Sequence, residues 1–441
     1  MPRELPKHQK PLNNMINRTL APEFKTIDKI DIIKANETFL DNGIPVYKIN
    51  AGSQELSKVE LIFNAGMYYQ QRTLLASTTN TLLEGGTTKY NALQISENID
   101  FFGSFLELSV GQDFSTVTLY SLNKYLNDSL VFIEEIIKNA IYPQSEIDIL
   151  LANKKQKHLV NSQKVNHLAR RKFSELLFGE KHPYGVDVKP NDFDTLKQKD
   201  IIDFYKNYYN SKNCFIVVSG NLPDNILTIL NGHFGKSDWG NVAGMQYPKA
   251  TITTTTQRKV LVEKSDAIQS AIRLGRILFN KTHPDYFKFQ VLNTILGGYF
   301  GSRLMANIRE DKGYTYGIGS GLTSLVNGGY FAISTEVGAD VTTKALDEIY
   351  KEIARLRTDL VSAEELETVR NYILGQFLRS VDGPFALAEK FKAIKEFGLD
   401  YSYYDNYFKS VQSVTAAELR DLANKYLQQD DLIECVAGKI A

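Results

Sequence analysis

The spacing of apolar and polar residues predicts strands and helices along most of the chain. Residues 58–65 alternate between apolar and polar side chains, which is typical of a half-buried strand. Residues 127–140 place apolar side chains at helical spacing and predict a helix. Asp41-Asn42-Gly43, between two short apolar runs, predicts a hairpin over 38–50. The same reasoning predicts two strands within 105–122, further strands at 214–220, 259–263, 267–274, 328–336 and 432–437, and helices at 73–84, 92–102, 145–162, 164–178, 198–208, 283–296, 342–357, 362–379, 384–397, 402–411 and 415–427.

The order of these elements occurs twice. Residues 80–86 resemble residues 293–298, because in each a short Asn-Thr helix end precedes Gly-Gly. The period is about 210–220 residues, which is too long for a solenoid and indicates a duplicated domain. Few strand–helix–strand alternations favour an α+β fold of two homologous α/β halves, with mixed, mostly antiparallel sheets faced by helices. We predict an N-terminal arm at 1–26, a first half at 27–236, a polar linker at 237–257 and a second half at 258–441.

Composition narrows the classes of function. Lys and Arg together number 51, and Asp and Glu together also number 51, so the formal net charge is zero. This balance does not indicate nucleic acid or an anionic membrane as partner. Cys214 and Cys435 are too few for a disulfide framework or a cysteine-based zinc site. No stretch has the apolar length of a membrane helix, and residues 1–26 lack the apolar core of a secretory signal. We expect a cytoplasmic protein, or a periplasmic one if a signal peptide has been removed.

A glycine-rich stretch at 297–317 is the strongest candidate for function. Arg309 precedes a predicted helix stop at Gly313, and a strand is predicted to begin at Tyr314, so a helix end and a strand start would present Arg309 and Tyr316 together. Two polar groups on one bend can grip a peptide or a carbonyl oxygen. The alternative is a glycine-punctuated helix–turn–strand with a surface arginine.

These motifs resemble one known family. Ser-Arg-Leu at 302–304, Ile-Arg-Glu-x-x-Gly-x-x-Tyr-Gly at 308–317 and Gly-Gly-Thr at 85–87 resemble the pitrilysin/insulinase family of zinc metallopeptidases. That family includes the mitochondrial processing peptidase subunits and the core proteins of the bc1 complex. The resemblance covers about residues 35–440 and implies a clam-shell of two homologous halves. In active members, His-x-x-Glu-His on a helix of the first half and a more distant Glu bind zinc, and the Arg and Tyr face it across a cavity.

The chain departs from the family at the zinc motif. The motif falls on residues 77–81, which read Ser-Thr-Thr-Asn-Thr and hold neither histidine nor carboxylate. No histidine occurs between residues 9 and 157, and no acidic residue lies between Asp148 and Glu175, where the distant Glu is expected. Hydroxyl and amide side chains are poor zinc ligands. We therefore expect no catalytic zinc in this chain.

Three other features offer weaker alternatives. His158 and His167 are conceivable as a metal pair, but their lysine- and arginine-rich surroundings favour a solvated basic helix face. The turn at 182–185, His-Pro-Tyr-Gly, also occurs in the family and is interpreted as structural. Residues 77–79 carry hydroxyls, but no His or Lys is near in sequence to activate a nucleophile.

The resemblance and the missing motif together imply an inactive subunit of a heterodimeric peptidase. A homologous partner chain would hold the zinc, and this chain would complete the peptide-binding cavity and be inactive alone. Arg309 would hold a substrate carbonyl or C-terminal group, and Tyr316 would donate to the oxyanion. We place Gly297, Gly298 and Ser302 in substrate binding.

The substrates implied are unfolded peptides, added as a strand to an exposed sheet edge. We expect the strand at 115–120, or its neighbour, to line the cavity. One alternative is a structural or peptide-holding protein without catalysis, like the bc1 core proteins. Another is a homodimer that binds peptides by itself.

Overall fold

The structure is a computed structural model that describes residues 30–242 and 247–440. The arm predicted at 1–26 lies outside the described residues, as do Gly244, within the predicted linker, and Ala441. The elements below all belong to the unit Ile32–Ala441.

Strands and helices follow one another in two similar series. The strands are β1 Asn36–Phe39, β2 Pro45–Asn50, β3 Leu56–Phe63, β4 Phe105–Val110, β5 Ser115–Leu122, β6 Cys214–Gly220, β7 Lys259–Glu263, β8 Gln269–Ile277, β9 Ile318–Leu325, β10 Gly328–Gly338 and β11 Ile433–Gly438. The helices are α1 Leu75–Thr81, α2 Ala92–Phe101, α3 Leu126–Lys138, α4 Gln144–Asn161, α5 Val165–Phe178, α6 Asp192–Thr195, α7 Gln198–Tyr208, α8 Ile226–Leu230, α9 Tyr286–Asn293, α10 Thr342–Thr358, α11 Ala363–Arg379, α12 Pro384–Lys395, α13 Ser402–Ser413 and α14 Ala416–Tyr426.

The strands form two sheets whose topologies correspond. The first sheet has the order β1-β2-β6-β3-β5-β4, and the second has the order β7-β11-β8-β10-β9. The pairs β2–β6 and β7–β11 are parallel, and the other neighbours are antiparallel. With β1 set aside, the orders match strand for strand. The prediction of an α+β fold built from two homologous halves is confirmed.

Each half lends a helix to the sheet of the other half. Helix α12 packs on β2 and β6, where Leu387 and Phe391 meet Tyr47 and Val217 in one buried cluster. Helix α5 packs on β8 and β11, and its Ala169 lies in a buried cluster of the second sheet. Because each sheet is covered by a helix of the other half, the two halves share their cores.

Buried charges join β3 to α12. The Nζ atom of Lys58 lies 3.0 Å from Glu60 Oε1 and 2.7 Å from Glu389 Oε1. Lys392 Nζ lies 2.8 Å from Glu389 Oε1 and also pairs with Glu60. The side chains of Lys58 and Glu60 are 4% and 1% exposed. Charges this far from water require partners, so the cluster fixes α12 on the first sheet.

A second polar contact joins a turn of the first half to the β9–β10 hairpin. The hydroxyl of Tyr184 donates to Asp113 Oδ1, and the backbone N–H of Val326 donates to Asp113 Oδ2 at 3.0 Å. Burial raises the pKa of Asp113, whereas these two hydrogen bonds act in the opposite direction. Nδ1 of His182 accepts from the N–H of Tyr184 at 3.1 Å. These contacts give the turn 182–185 a structural role.

The predicted start of one strand needs correction. The strand expected to begin at Tyr314 begins at Ile318 as β9, because Thr315 turns the chain by bonding to the N–H and carbonyl of Gly317. At the start of α11, the Ser362 hydroxyl caps the helix by accepting from the N–H of Glu365 at 3.1 Å. The Glu365 carboxylate is bound by Arg303.

None of the helices in the described ranges combines the length and the apolar composition that a membrane span requires.

Candidate functional site

Arg309 and Tyr316 lie side by side at the start of the second half's outer hairpin. Arg309 sits on the helical turn Met305–Asp311, and Gly313, with a φ of 66°, then reverses the chain. The Nε atom of Arg309 donates to the carbonyl oxygen of Tyr316 at 3.1 Å. The guanidinium carbon lies 4.6 Å from the ring centre of Phe300. The structure therefore brings these residues together through a backbone contact and leaves the tyrosine hydroxyl free of Arg309.

The turn that carries Tyr316 is fixed to β10. The Thr335 hydroxyl lies 2.9 Å from the Thr315 hydroxyl and 3.0 Å from the carbonyl oxygen of Gly317, and it can donate its one proton to either. The Thr315 hydroxyl in turn donates to the carbonyl of Glu336 at 2.7 Å. Tyr316 is 96% exposed. A braced turn thus presents a phenol almost entirely to solvent.

Tyr316 borders a cavity of about 360 Å³ that includes a residue of the first half. Asn166 of α5 accepts at Oδ1 from Arg273 Nη2 at 2.6 Å and donates through Nδ2 to Glu336 Oε1 at 2.7 Å. Burial lowers the pKa of the Arg273 guanidinium, which nevertheless stays a cation. The cavity wall is therefore polar and is shared by both halves.

The three predicted substrate-binding residues lie at the other end of this stretch. Gly297 is buried, and a Cβ there would lie 2.6 Å from Ser320 Oγ and 2.7 Å from Ser320 N, so glycine is needed for packing against β9. Gly298 is exposed. Ser302 is 1% exposed, and its Oγ has no hydrogen-bond partner among the described residues. Only Gly298 is open to a ligand here, and substrate contact by all three stays a prediction.

Arg303, the other arginine of the motif, is committed to an ion pair. Its Nε and Nη2 atoms donate to the two carboxylate oxygens of Glu365 at 2.9 and 2.7 Å. The hydrogen bond to Glu365 raises the pKa of Arg303. A bidentate pair of this kind anchors the glycine-rich stretch to α11 and leaves Arg309 as the arginine available for recognition.

The residues at the zinc-motif position lie on α1 and are bound by a lysine of α4. The Nζ atom of Lys154 donates to Ser77 Oγ at 3.1 Å and to Thr78 Oγ1 at 3.5 Å. Burial lowers the pKa of Lys154 to about 8, so the side chain is mainly an ammonium ion at neutral pH. Neither the neutral hydroxyls nor the adjacent positive charge suits a divalent cation. These residues do not fit the zinc that the family motif would hold.

Sequence reasoning missed Lys154. No His or Lys is close to 77–79 along the chain, but folding brings α4 against α1 and puts the amine on Ser77. One signal in the sequence could have found it. The resemblance places the family's distant zinc-binding Glu between Asp148 and Glu175, and Lys154 lies in that region. At motif position 80, Asn80 is buried and donates through Nδ2 to the hydroxyl of Tyr209 at 3.0 Å.

The histidine pair weighed above is partly buried. The rings of His158 and His167 lie 6.2 Å apart, and His158 also packs on Phe193 at 5.3 Å. Burial lowers the pKa of both imidazoles. No group of three or more His, Cys, Asp or Glu side chains arranged to hold a metal occurs in the part of the chain that the structure describes.

Strand β4 is the edge of the first sheet next to the predicted lining strand. Strand β5, which covers the expected lining strand 115–120, is paired on both sides, with β3 and β4, so it offers no free edge. Strand β4 stands at the end of the sheet, and α1 packs beside it. Its side chains alternate between exposed and half-buried, as those of a strand with two different faces do. The neighbour, and not 115–120 itself, is the edge strand.

Comparisons with known proteins agree with this architecture. Residues 195–373 match the family model described as the Peptidase M16 inactive domain. Among relatives, the chain is 22% identical over 311 residues to YmxG of Bacillus subtilis (strain 168), described as an uncharacterised zinc protease, with 67% of this chain and 72% of the relative covered. It is 20% identical over 364 residues to the non-peptidase homolog YmxG of Helicobacter pylori (strain ATCC 700392 / 26695), with 81% and 83% covered.

Solved structures share the fold. The crystal structure of a peptidase M16 inactive domain from Pseudomonas fluorescens superposes with a TM-score of 0.82 at 21% identity, covering 92% of this chain and 98% of that one. A chain of Complex III2 from Candida albicans superposes with a TM-score of 0.71 at 14% identity, covering 91% and 95%. Residues 195–373 therefore match the peptidase M16 inactive domain, and the chain as a whole is similar in sequence and fold to peptidase M16 proteins. This confirms the resemblance drawn from the motif at 302–317.

Proposed function

We propose that this chain is the non-zinc-binding subunit of a two-chain peptidase. A homologous partner with an intact His-x-x-Glu-His motif supplies the zinc. This chain closes the peptide-binding cavity and presents Arg309 and Tyr316 to the substrate. Alone, it has no peptidase activity.

The observation that carries this proposal is the exposed side chain of Tyr316. Its turn is held by the Arg309 hydrogen bond and by the Thr315 and Thr335 hydroxyls, while the phenol itself is 96% exposed. A side chain that is rigidly presented but not packed contributes little to folding, so its use lies in contact with another molecule. The residues at 77–81 supply no zinc ligands on the same chain.

Arg309 is suited to bind an oxygen of the substrate. Its Nε atom is used by Tyr316, while among the described residues its terminal nitrogens make only a 3.8 Å contact, from Nη1 to Glu310. Those nitrogens are free to hold a peptide carbonyl or a C-terminal carboxylate by charge-assisted hydrogen bonds. The Tyr316 hydroxyl can then donate to an oxyanion as it develops.

The substrate proposed is an unfolded peptide, paired as an additional strand on β4. Main-chain hydrogen bonds would hold it without strict dependence on sequence, and the alternating side chains of β4 would select some residues over others. The relative described as a non-peptidase homolog supports inactivity of the chain by itself.

A second function stays open because of the likeness to a Complex III2 chain. On that reading the protein holds peptides or supports an assembly, and catalysis occurs nowhere in it. A tagged chain isolated from its native cell distinguishes the two. Recovery of an M16 relative with His-x-x-Glu-His, together with peptidase activity, is the result expected here. Recovery of the chain alone, or only with further copies of itself, would contradict the two-chain peptidase.

A further inference from the structure

Lys154 lies where the residues of the lost zinc motif meet α4. Its Nζ atom is hydrogen-bonded to Ser77 Oγ and Thr78 Oγ1, which are neutral groups. Ser77 and Lys154 are half-buried and Thr78 is buried. A single positive charge thus stands against the residues at the zinc-motif position.

The neighbouring cations differ from Lys154 in having carboxylate partners. Lys155 Nζ lies 2.7 Å from Asp194 Oδ2, and Arg72 Nη1 lies 2.9 Å from Asp200 Oδ2. No carboxylate of the described residues lies within 4.0 Å of Lys154 Nζ. Withdrawing an ammonium ion from water without a counter-charge is costly, and hydroxyl oxygens compensate only partly. The position therefore favours a negatively charged ligand.

Lys154 retains the capacity to bind such a ligand. An ammonium group has three N–H donors, and the hydroxyls of Ser77 and Thr78 engage two of them. The third is available to an acceptor that enters from the exposed side. Burial lowers the pKa of Lys154 to about 8, so the donor is still charged at neutral pH.

The backbone at the start of α1 is strained in the same place. Leu74, the residue before the helix, has a φ of 69°, in the left-handed region that non-glycine residues seldom adopt. Its carbonyl oxygen accepts from the Ser77 hydroxyl at 3.2 Å. This contact aims the Ser77 side chain, and strain of this kind persists where a site needs a particular geometry.

We propose that Lys154, oriented by Ser77, forms a carboxylate-binding site for an extended peptide paired with β4. The inference rests on the peptide binding proposed above. Helix α1, which carries Ser77, packs beside the edge strand β4, so a peptide paired with β4 would run next to α1. The carboxylate is either the C-terminal group of the peptide or an Asp or Glu side chain. In both cases Lys154 supplies the charge and the N–H donor, while Ser77, whose proton is donated to the Leu74 carbonyl, orients the ammonium group.

The test compares matched peptides on the full chain. A fluorescent peptide rich in Val and Thr is made with a free C-terminal carboxylate and as the carboxamide, and a second pair carries an internal Glu or Gln. Kd is measured by anisotropy for the wild type and for Lys154→Met, Lys154→Arg and Lys155→Met. In one of the two pairs, the wild type and Lys155→Met should bind the carboxylate peptide about tenfold more tightly than the matching amide peptide. Lys154→Met should lose this difference at unchanged amide affinity, and Lys154→Arg should restore part of it.

The outcomes separate the two proposals. Equal binding of acid and amide by the wild type would overturn the carboxylate site and leave peptide binding intact. A preference that survives in Lys154→Met would overturn it as well. Failure of every peptide to bind any variant would contradict the peptide-binding function and the carboxylate site together.

Discussion

The Nε atom of Arg309 donates a 3.1 Å hydrogen bond to the carbonyl oxygen of Tyr316. This bond ties the helical turn Met305–Asp311 to the exposed loop before β9, so the arginine both positions the tyrosine and keeps its terminal nitrogens for a ligand. A residue that positions and binds at once is sensitive to replacement even by a residue of the same charge.

In the two-chain enzyme, Arg309→Ala should lower kcat by at least about tenfold, and Arg309→Lys should recover little of the loss. Lysine keeps the positive charge but has a single ammonium group in place of the planar guanidinium. It therefore cannot both donate to the Tyr316 carbonyl and bind a substrate oxygen with two terminal nitrogens. Steady-state kinetics on the complex measures both, with the exposed Lys312→Ala as control. Full activity in Arg309→Lys would mean that charge alone matters, and full activity in Arg309→Ala would make the residue a remnant.

The purified chain should contain no stoichiometric zinc, and a chelator should leave its Tm unchanged. The Lys154 ammonium and the hydroxyls of Ser77 and Thr78 offer no suitable ligand set. Elemental analysis and thermal melts with EDTA provide the measurement, and a relative with the intact motif is the positive control. One zinc per chain, lost on chelation together with some stability, would be the opposite result.

Lys154→Met should stabilise the protein at pH 7 by about 1–3 kcal/mol. Burial lowers the pKa of Lys154 from 10.5 to about 8, so between these values the unfolded chain binds more protons than the folded one. The free energy of unfolding of the wild type therefore rises as the pH increases from 8 to 10.5. The difference in free energy of unfolding between Lys154→Met and the wild type becomes smaller over the same range.

Urea unfolding of both proteins at several pH values tests this expectation. Lys155→Met serves as the control, because Lys155 forms a partly exposed ion pair with Asp194 and should show a small effect without this pH trend. A destabilised Lys154→Met, or a gap that does not change with pH, would show that Lys154 serves the fold and not a ligand.

Lys392→Met should destabilise the fold by about 2–4 kcal/mol. The substitution removes a charge from the buried cluster between α12 and β3, although Lys58 stays 3.0 Å from Glu60. Lys199→Met, which breaks an exposed pair with Asp203, should have a much smaller effect on stability. Equal losses in the two variants, measured by denaturant unfolding, would show that the cluster does not hold the halves together.

The periodicity of the chain predicts most of the elements and the duplication, but not the short helices α6 and α8 or the start of β9. Residues 198–208 were predicted as a helix and form α7, because side chains repeating at helical spacing are those that the fold buries. The pattern does not reveal which sheet a helix covers. The apolar face of α12 would suit either sheet, and only tertiary packing assigns it to the first half.

The residues of the candidate site also differ in whether the sequence could predict their contacts. Arg309 and Tyr316 are close in sequence, so one turn is enough to bring them together. Lys154 is remote from Ser77 along the chain, and its contact depends on α4 packing against α1. The sequence of a lysine-rich helix does not show which lysine lacks a carboxylate partner. Lys154 and Lys155 are adjacent and alike in sequence, and only the folded chain places Asp194 beside Lys155.

The central claim is that Tyr316 acts on a substrate bound by two chains. The most direct test is kcat of the reconstituted complex with Tyr316→Phe, which removes one hydroxyl from a side chain that is 96% exposed and so leaves the fold intact. Tyr314→Phe, two residues away, is the matched control. We predict that Tyr316→Phe lowers kcat at least about tenfold, equivalent to roughly 1.4 kcal/mol, while Tyr314→Phe does not. An unchanged kcat in Tyr316→Phe would contradict the account.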